Sequence, residues 1–457
     1  MSLPRRSVLG AGVAAAVASL TGCGQRTKAS WVVPGAGAGT PAPGGATTAP
    51  TGRPNTGAAA PRPTPTPAGT RVAAADAPYA GAVTAALTRR LRPTPENPRH
   101  PGYAGAVALV SVQGKITVHA AVGDALRYGA GPVELPPGRR VAMRPDSVFD
   151  VASITKVYTA LLVLRLVDQG KIDLAAPVGG LLPGFTGAGK AAITVRMLLS
   201  HTSGLPVGAK VAGVSGRAAR WAAVLATPLA KGARPGAAFR YSSVGYMVLG
   251  RLVERVTGQP LDRALSTLLT GPMGLRETGY APSAWLNGTA RAARLVATDA
   301  RSSRGLLRGV VHDDVANQVG GVAGHAGVFA TARDVAAVGE MLLGDGSYRG
   351  RRILSAATVR LLRTNANQGL PAIDAERPGR PSDHGLGVVL RQPWFMGRLS
   401  SPATFGHTGF TGTSLLVDPR RDLVLVLLTN RAHPNWSWAN PDPVRVAIAN
   451  ILADALP

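Results

Sequence analysis

A serine and a lysine stand three residues apart, at Ser153 and Lys156, where an apolar helix is predicted to begin. Helix residues three apart are neighbours, with Cβ atoms roughly 5–6 Å apart, so the Lys156 amine can reach the Ser153 hydroxyl. The Ser153 N–H has no intrahelical partner there and can bind an oxyanion. This spacing indicates a serine nucleophile for acyl transfer. An isolated Ser-x-x-Lys also fits an ordinary helix start with a serine cap, so the rest of the chain must decide.

Two further polar motifs follow, each next to a predicted regular element. Residues 241–243, Tyr-Ser-Ser, come after a Pro-Gly turn and lead into an apolar run at 246–256 that is predicted to be a helix. Residues 407–410, His-Thr-Gly-Phe, precede two strand-like runs at 413–417 and 423–429, which an Asp-Pro turn connects. Three motifs in this order overturn the interpretation of Ser153 as a mere cap.

The order of motifs resembles that of serine β-lactamases and penicillin-binding proteins, which carry Ser-x-x-Lys, then a middle motif, then Lys-Thr-Gly or a variant of it. The chain resembles the class C β-lactamase-like serine hydrolase and penicillin-binding protein family from about residue 76 to its end. The segments 309–314, 320–331 and 428–434 narrow the resemblance to muropeptide amidases and D-Ala-D-Ala carboxypeptidases. The chain departs from the family at Ser243, where the middle motif usually has asparagine.

The resemblance implies a role for each motif. Ser153 would attack a carbonyl carbon while either neutral Lys156 or the Tyr241 phenolate takes its proton, and the sequence leaves both open. Tyr241 would then protonate the leaving group. The backbone N–H groups of Ser153 and Phe410 would hold the oxyanion. The implied substrate-binding and oxyanion residues are Ser243, His407, Thr408, Gly409 and Phe410. No cofactor and no metal are expected.

His407 stands where β-lactam-recognising relatives carry lysine. Histidine has a reference pKa of about 6.5 and is mostly neutral at about pH 7.5, whereas lysine is a permanent cation. We therefore expect weak recognition of a free carboxylate, improving as the pH falls through the pKa of His407. The alternative is that His407 only forms hydrogen bonds within its strand.

Other histidines could suggest different chemistry. His312, Asp313 and His325 are candidate metal ligands, but their spacing is not that of two ligands on one helix turn and the segment is rich in glycine. We expect these three residues to form hydrogen bonds in a loop near the cleft. His201 could be mistaken for a catalytic base, but enzymes with Ser-x-x-Lys supply lysine or tyrosine instead, so it is expected to be structural.

The first 23 residues predict export. Arg5 and Arg6 precede an apolar stretch at 8–20 that is too short for a lasting transmembrane helix. The Leu-Thr-Gly-Cys sequence ending at Cys23 resembles a bacterial lipobox, which implies cleavage before Cys23 and its lipidation, and the paired arginines also resemble a twin-arginine signal. Cys23 is the only cysteine. We expect a lipoprotein on the extracytoplasmic face of the cell membrane, exported by the twin-arginine or the general route.

Residues 24–75 are rich in Pro, Gly, Ala and Thr, a composition that cannot bury a core and favours an extended tether. The hydrolase domain is predicted at 76–457. The net charge is +26, but it is spread mostly over arginines, so we expect loose attraction to anionic envelope polymers and no binding of nucleic acid. A monomer is expected.

The elements that must position the motifs predict an α+β fold, with an antiparallel sheet flanked by helices, an all-α lobe and the active site between them. Strands are predicted at 105–111 and 116–122, which form a hairpin, and at 387–390, 413–417 and 423–429. Helices are predicted at 76–91, with Asp76 as N-cap, and at 443–456.

The leading hypothesis is a hydrolase of peptidoglycan fragments, either a muropeptide amidase or a D-Ala-D-Ala carboxypeptidase, that acts through an acyl-enzyme at Ser153. Small acyl substrates remain possible partners, so an esterase or lactonase, or a weak β-lactamase, is the alternative within the same chemical class. A penicillin-binding or wall-binding module without catalysis is the alternative of another class.

Overall fold

The computed structural model describes residues 71–72, 77–301, 303–374 and 377–457. The chain divides into two units after Thr64, and every described residue belongs to the second, Pro65–Pro457. The predicted signal peptide, the lipidation site at Cys23 and all of the predicted linker except residues 71–72 lie outside the described residues. The fold and the candidate site therefore belong to the second unit alone.

Eight strands form one antiparallel sheet. They are β1 (Arg71–Val72), β2 (Gly105–Val112), β3 (Lys115–Leu126), β4 (Val141–Ala142), β5 (Val389–Leu390), β6 (Phe405–Thr408), β7 (Ser414–Asp418) and β8 (Leu423–Thr429). Their order is β1-β3-β2-β8-β7-β6-β5, and β4 pairs with the end of β3. The predicted antiparallel sheet is confirmed, including the β2–β3 hairpin.

The first strand lies within the segment that was predicted as linker. Arg71 and Val72 lie in the segment predicted as linker, yet they pair with Ala121 and Ala120 of β3. A strand at the edge of a sheet needs only backbone hydrogen bonds, so the composition of this segment carried no signal for it.

The sheet separates two apolar cores. Alternate residues of a strand point to opposite faces, and β2 shows this alternation. Its Val107 and Leu109 join the larger core, whereas Ala108 and Val110 join the smaller one. Because β2 has no polar face, both faces of the sheet must be covered by other elements.

Five helices supply much of that cover: α1 (Ala80–Arg89), α2 (Thr155–Asp168), α3 (Ser243–Thr257), α4 (Ala332–Leu343) and α5 (Asp442–Ala455). Helices α1 and α5 contribute to the smaller core, and α2, α3 and α4 to the larger. The prediction for α1 is wrong at its start, since the N-cap is Tyr79 and not Asp76. Pro78 explains the late start, because the residue before a proline is held out of the helical region.

Further elements fill the region between α2 and α4 and its surroundings. The remaining helices of the described residues are Val178–Leu181, Val195–Leu199, Arg217–Ala226, Leu261–Leu265, Gly271–Met273, Gly288–Arg294, Asp314–Gln318, Ala356–Leu362 and Pro393–Met396. Three-residue helical turns lie at Pro137–Arg139, Ala152–Ile154, Pro282–Ala284, Gly397–Leu399 and Trp436–Trp438, and a wider turn at Ser266–Thr270.

Short strands of the described residues outside the main sheet form four small sheets. One has three strands, with Phe329–Ala330 between Phe149–Asp150 and Thr278–Gly279. The other three are pairs: Tyr128–Gly129 with Val133–Glu134; Ala297–Asp299 with Leu307–Arg308; and Ser347–Tyr348 with Arg351–Arg352. The predicted α+β class is confirmed. Within the part of the chain that the structure describes, no helix combines the length and the apolar character needed to cross a membrane.

Candidate active site

Ser153 lies at a sharp junction between a strand and a helix. The strand Phe149–Asp150 ends, the turn Ala152–Ile154 follows, and α2 begins directly after it. Ala152 has a φ of +48°, a conformation that costs free energy for a residue with a side chain. The neighbouring contacts must therefore hold Ser153 in place.

Asp150 supplies two of those contacts, although no sequence motif assigned it a role. One carboxylate oxygen accepts the Ala152 N–H at 2.9 Å, and the other accepts the backbone N–H of His312 at 2.7 Å. The side chain is buried, and this burial raises the pKa of Asp150. A single acidic residue inside the apolar run 148–151 is the signal that could have identified it.

Lys156 is fully buried and touches the serine. Its Nζ lies 3.0 Å from the Ser153 Oγ and 3.2 Å from the carbonyl oxygen of His325. The same nitrogen lies 4.9 Å from the ring centroid of Tyr241 and 5.9 Å from that of Tyr246. The structure thus brings together the serine, lysine and tyrosine that the sequence selected.

Tyr241 is positioned by the start of α3 and by His201. The Ser242 hydroxyl caps α3, accepting the Gly245 N–H at 3.0 Å and donating to the Pro206 carbonyl at 2.8 Å. The His201 ring lies 4.6 Å from the Tyr241 ring, centroid to centroid, and its Nδ1 accepts the Ser242 N–H at 3.0 Å. His201 therefore supports the tyrosine from a buried position.

Ser243 begins α3, and its backbone N–H donates to the Val207 carbonyl at 3.1 Å. Its side chain is half-buried. No contact among those of the described residues joins it to Ser153 or Lys156. The geometry gives its proposed role in substrate binding no direct support.

The turn after β6 is hydrogen-bonded to the backbone of residues 150 and 151, just before Ser153. A Cβ added at Gly409 would lie 2.5 Å from the Val151 carbonyl oxygen, so only glycine fits this close approach. The Thr411 hydroxyl donates to the Asp150 carbonyl at 2.9 Å, and the Thr413 hydroxyl donates to the Val151 carbonyl at 3.0 Å. These contacts place Gly409 and its neighbour Phe410 beside the nucleophile.

Arg445 of α5 holds the other side of that turn. Its guanidinium donates to the carbonyls of Gly409 at 3.0 Å and Thr413 at 2.7 Å, and it forms an ion pair with Asp442 at 2.8 Å. Burial lowers the pKa of Arg445 to about 10, so it remains charged at neutral pH. A lone arginine on the inner face of an otherwise apolar helix is the signal that the sequence interpretation missed.

The proposed oxyanion donors are both available. Among the hydrogen bonds of the described residues, neither the Ser153 N–H nor the Phe410 N–H is a donor. Backbone N–H groups that are fixed in place and unused can stabilise the negative charge of a tetrahedral intermediate. The N–H groups of Ser153 and Phe410 could therefore form the oxyanion site that acyl transfer requires.

His407 is buried and uncharged at neutral pH. Its Nδ1 lies 2.8 Å from the Thr408 carbonyl oxygen, so Nδ1 carries the proton and Nε2 is an acceptor. Nε2 is buried and has no partner among the described residues. Burial, followed by the charges of Lys156 and Arg380, lowers the pKa of His407 well below its usual value. The expectation that carboxylate recognition improves on moderate acidification assumed an exposed histidine, and the burial of His407 favours the opposite prediction, that recognition stays unchanged.

A pH experiment follows from this finding. We expect the ratio of acylation rates for an anionic β-lactam and a neutral ester to stay constant between about pH 8 and pH 6, because His407 gains no proton in that range. His407→Lys is expected to raise the ratio at about pH 8, since it introduces a permanent cation. Rapid-mixing kinetics would measure both substrates.

His407→Gln is the control, because it keeps a polar side chain that cannot titrate. If the ratio climbs severalfold on acidification in the wild type and not in His407→Gln, a protonated His407 would recognise the carboxylate and our assignment would be wrong.

His325 and Asp313 form a pair next to Lys156. The His325 Nε2 lies 2.9 Å from an Asp313 carboxylate oxygen. Burial opposes ionisation of Asp313, but His325, the Ala316 N–H and the charge of Lys156 together hold its pKa below the usual range. His312 lies 3.6 Å from Asp299 instead. In the described residues no group of three or more His, Cys, Asp or Glu side chains converges as metal ligands would.

Comparison with known proteins gives consistent matches. The family model described as Beta-lactamase matches residues 87–450. An N-acetylmuramyl-L-alanine amidase of Bacillus subtilis (strain 168) is 33% identical over 359 residues, which cover 73% of this chain and 78% of the relative. A protein of Escherichia coli (strain K12), named as a candidate D-alanyl-D-alanine carboxypeptidase, is 31% identical over 365 residues, covering 73% of this chain and 79% of the relative.

Among solved structures, a penicillin-binding protein homologue from Caulobacter crescentus superposes with a TM-score of 0.60 at 21% identity, covering 84% of this chain and 100% of that one. At this identity the match concerns the fold alone.

Proposed function

The chain belongs to the beta-lactamase family and is a serine hydrolase, and on this basis we propose that it cleaves an amide bond in peptidoglycan-derived peptides through an acyl-enzyme at Ser153. The observation that carries the proposal is the buried Lys156 amine, 3.0 Å from the Ser153 hydroxyl and packed over the Tyr241 ring. A non-catalytic wall-binding module would not require a buried lysine amine beside a serine hydroxyl.

In the first half-reaction the Ser153 oxygen bonds to the amide carbon, and the proton of its hydroxyl passes to Lys156 or Tyr241. The tetrahedral oxyanion is held by the N–H groups of Ser153 and Phe410. The carbon–nitrogen bond then breaks, and Tyr241 delivers a proton to the leaving amine. Water attacks the resulting ester, which releases a carboxylic acid and restores Ser153.

The Lys156 amine lies among oxygen atoms and aromatic rings. Its amine faces two oxygen acceptors and two aromatic rings, and the Asp313 carboxylate lies within electrostatic range. Of the two bases that the sequence left open, we propose that Tyr241 is the proton acceptor and that Lys156 assists by its charge, because its amine lies between the Ser153 hydroxyl and the Tyr241 ring.

His407 favours an amidase over a carboxypeptidase. A D-Ala-D-Ala carboxypeptidase must bind a carboxylate beside the scissile bond, and His407, whose charged form is disfavoured by burial, supplies no permanent cation there. Arg380, whose charge also acts on His407, is ion-paired with Asp374 at 2.8 Å. We propose a substrate that carries no carboxylate at this position, as in the amide between an N-acetylmuramyl group and L-alanine. Neutral esters also satisfy this requirement and are the second candidate substrates.

Two defined compounds test the choice. We expect the purified protein to release L-alanyl-D-isoglutamine from N-acetylmuramyl-L-alanyl-D-isoglutamine, and to release no D-alanine from a peptide ending in D-Ala-D-Ala. Chromatography with mass detection would measure both products. Release of D-alanine alone would make the protein a carboxypeptidase, and cleavage of esters alone would make it an esterase.

The predicted signal peptide at residues 1–23 supports a proposal on the cellular location of the protein. We propose that the chain is exported and held at the outer face of the cell membrane by lipid on Cys23, because Leu-Thr-Gly-Cys follows a basic and then an apolar stretch. A single acyl chain binds membranes marginally, whereas two chains hold firmly.

Cys23→Ala is expected to move the protein out of the membrane fraction or to leave an unprocessed precursor, because no thiol remains to carry the lipid. Fractionation and immunoblotting would measure this, with Ser7→Ala as a matched change within the leader. An unchanged size and membrane fraction for Cys23→Ala would contradict the lipid anchor.

A further inference from the structure

Two aromatic side chains are exposed side by side near the nucleophile. Phe410 is 44% exposed and Trp436 is 40% exposed, and their ring centroids lie 5.6 Å apart at an interplanar angle of 56°. The other large apolar side chains exposed in the described part of the chain are aliphatic. Two adjacent exposed rings form a contiguous apolar surface that a ligand can cover.

The neighbours of these rings keep them in position. The Arg431 guanidinium lies 4.5 Å from the Phe410 ring centroid and donates a hydrogen bond to the Trp436 carbonyl. The His312 ring lies 5.4 Å from Phe410 on the side of the protein interior. The Asn435 side chain accepts the Ser437 N–H at 3.0 Å and so caps the turn that carries Trp436. We call Phe410, Trp436 and Arg431 the aromatic platform.

The position of the platform limits what can occupy it. The Phe410 N–H is a proposed oxyanion donor, so the Phe410 ring begins one side chain away from the reacting carbonyl. In an N-acetylmuramyl amide, the pyranose ring is joined to the scissile carbonyl through one carbon and one ether oxygen. Because this linkage is so short, the pyranose ring lies close to the residues that border the oxyanion site.

We propose that the aromatic platform binds the pyranose ring of an N-acetylmuramyl group during acylation of Ser153. A sugar presents an apolar face of C–H groups to an aromatic ring and polar groups around its edge, where the Arg431 guanidinium can donate hydrogen bonds. The Arg431 charge disfavours a cationic ligand, and an aliphatic chain would gain little from guanidinium and imidazole neighbours. This inference rests on the proposed amidase function. It identifies the sugar as a part of the substrate that the enzyme recognises.

A pair of substrates tests it. N-acetylmuramyl-L-alanyl-D-isoglutamine and D-lactyl-L-alanyl-D-isoglutamine share the scissile amide, but the second lacks the sugar. We expect the wild type to favour the first by at least about tenfold in kcat/KM, which corresponds to about 1.4 kcal/mol. Trp436→Ala is expected to bring the ratio close to one, mainly through KM, and Trp436→Leu is expected to do the same because it keeps bulk without an aromatic face.

Tyr348→Ala is the matched control, because Tyr348 also stacks with an arginine, Arg349 at 5.2 Å, but lies in the hairpin with Arg351–Arg352. It should keep the wild-type ratio. A ratio unaffected by both changes at Trp436 would overturn the platform while leaving the amidase function in place.

Direct binding separates the two proposals if neither substrate is cleaved. Calorimetric titration of the Ser153→Ala protein with N-acetylmuramic acid should then still show binding that Trp436→Ala abolishes, which would support the platform without the amidase function. No binding, or binding that Trp436→Ala leaves unchanged, would overturn the platform.

Discussion

Ser153→Ala is expected to abolish both turnover and labelling by a serine-reactive fluorophosphonate. The side chain supplies the atom that bonds to the acyl group, and no other serine of the described residues has a lysine amine at 3.0 Å. The loss should reach roughly 10⁴-fold or more, because removal of a nucleophile leaves only binding and oxyanion stabilisation. Gel fluorescence and the product assay would measure both effects.

Ser203→Ala is the matched control. Ser203 is also a buried serine close to a helix end, but its hydroxyl only accepts the Leu205 N–H at 3.4 Å. It should retain labelling and most of the activity. Persistent labelling of the Ser153→Ala protein would end the mechanism proposed here.

Lys156→Met is expected to lower kcat by about 10²–10⁴-fold, the usual range for loss of a group that assists proton transfer. Methionine fills much of the lysine volume, so the fold should survive with its melting temperature little changed. The substitution removes the positive charge between the Ser153 hydroxyl and the Tyr241 ring, which assists removal of the serine proton. Steady-state kinetics and thermal melting would separate the two effects.

Lys190→Met offers an unusually close control. Lys190 is also buried, donates to the Leu225 carbonyl and lies 4.8 Å from the Phe185 ring centroid, but it has no serine partner. Its replacement should affect stability at least as much as Lys156→Met and leave kcat nearly unchanged. If the two variants lost equal activity, the effect at Lys156 would be structural.

The regular elements could be predicted because their signals are local. The hairpin of β2 and β3 was visible as two β-rich runs around a Gln-Gly turn, and α2 and α3 as apolar stretches after polar motifs. Ser153 and Lys156 needed only the geometry of one helical turn. Tyr241 and the turn after β6 were found by resemblance, and the structure brings both to the same place.

The supporting residues could not be predicted, because their contacts join distant parts of the chain. Asp150 and His312 are separated by 162 positions, and Lys156 and His325 by 169. The charge state of His407 depends on burial, which only the packed structure reveals. Nothing in the sequence connected Phe410 with Trp436 either, since a strand pair and a loop separate them.

Detection of the acyl-enzyme is the decisive measurement for a nucleophilic Ser153. An activated ester of N-acetylmuramic acid should acylate the enzyme faster than water removes the acyl group, so the intermediate accumulates. After rapid acid quenching, mass spectrometry should find the protein heavier by one N-acetylmuramyl group, with the added mass on the peptide that contains Ser153. An adduct on any other residue, or turnover of the ester with no adduct at any time, would contradict catalysis through Ser153.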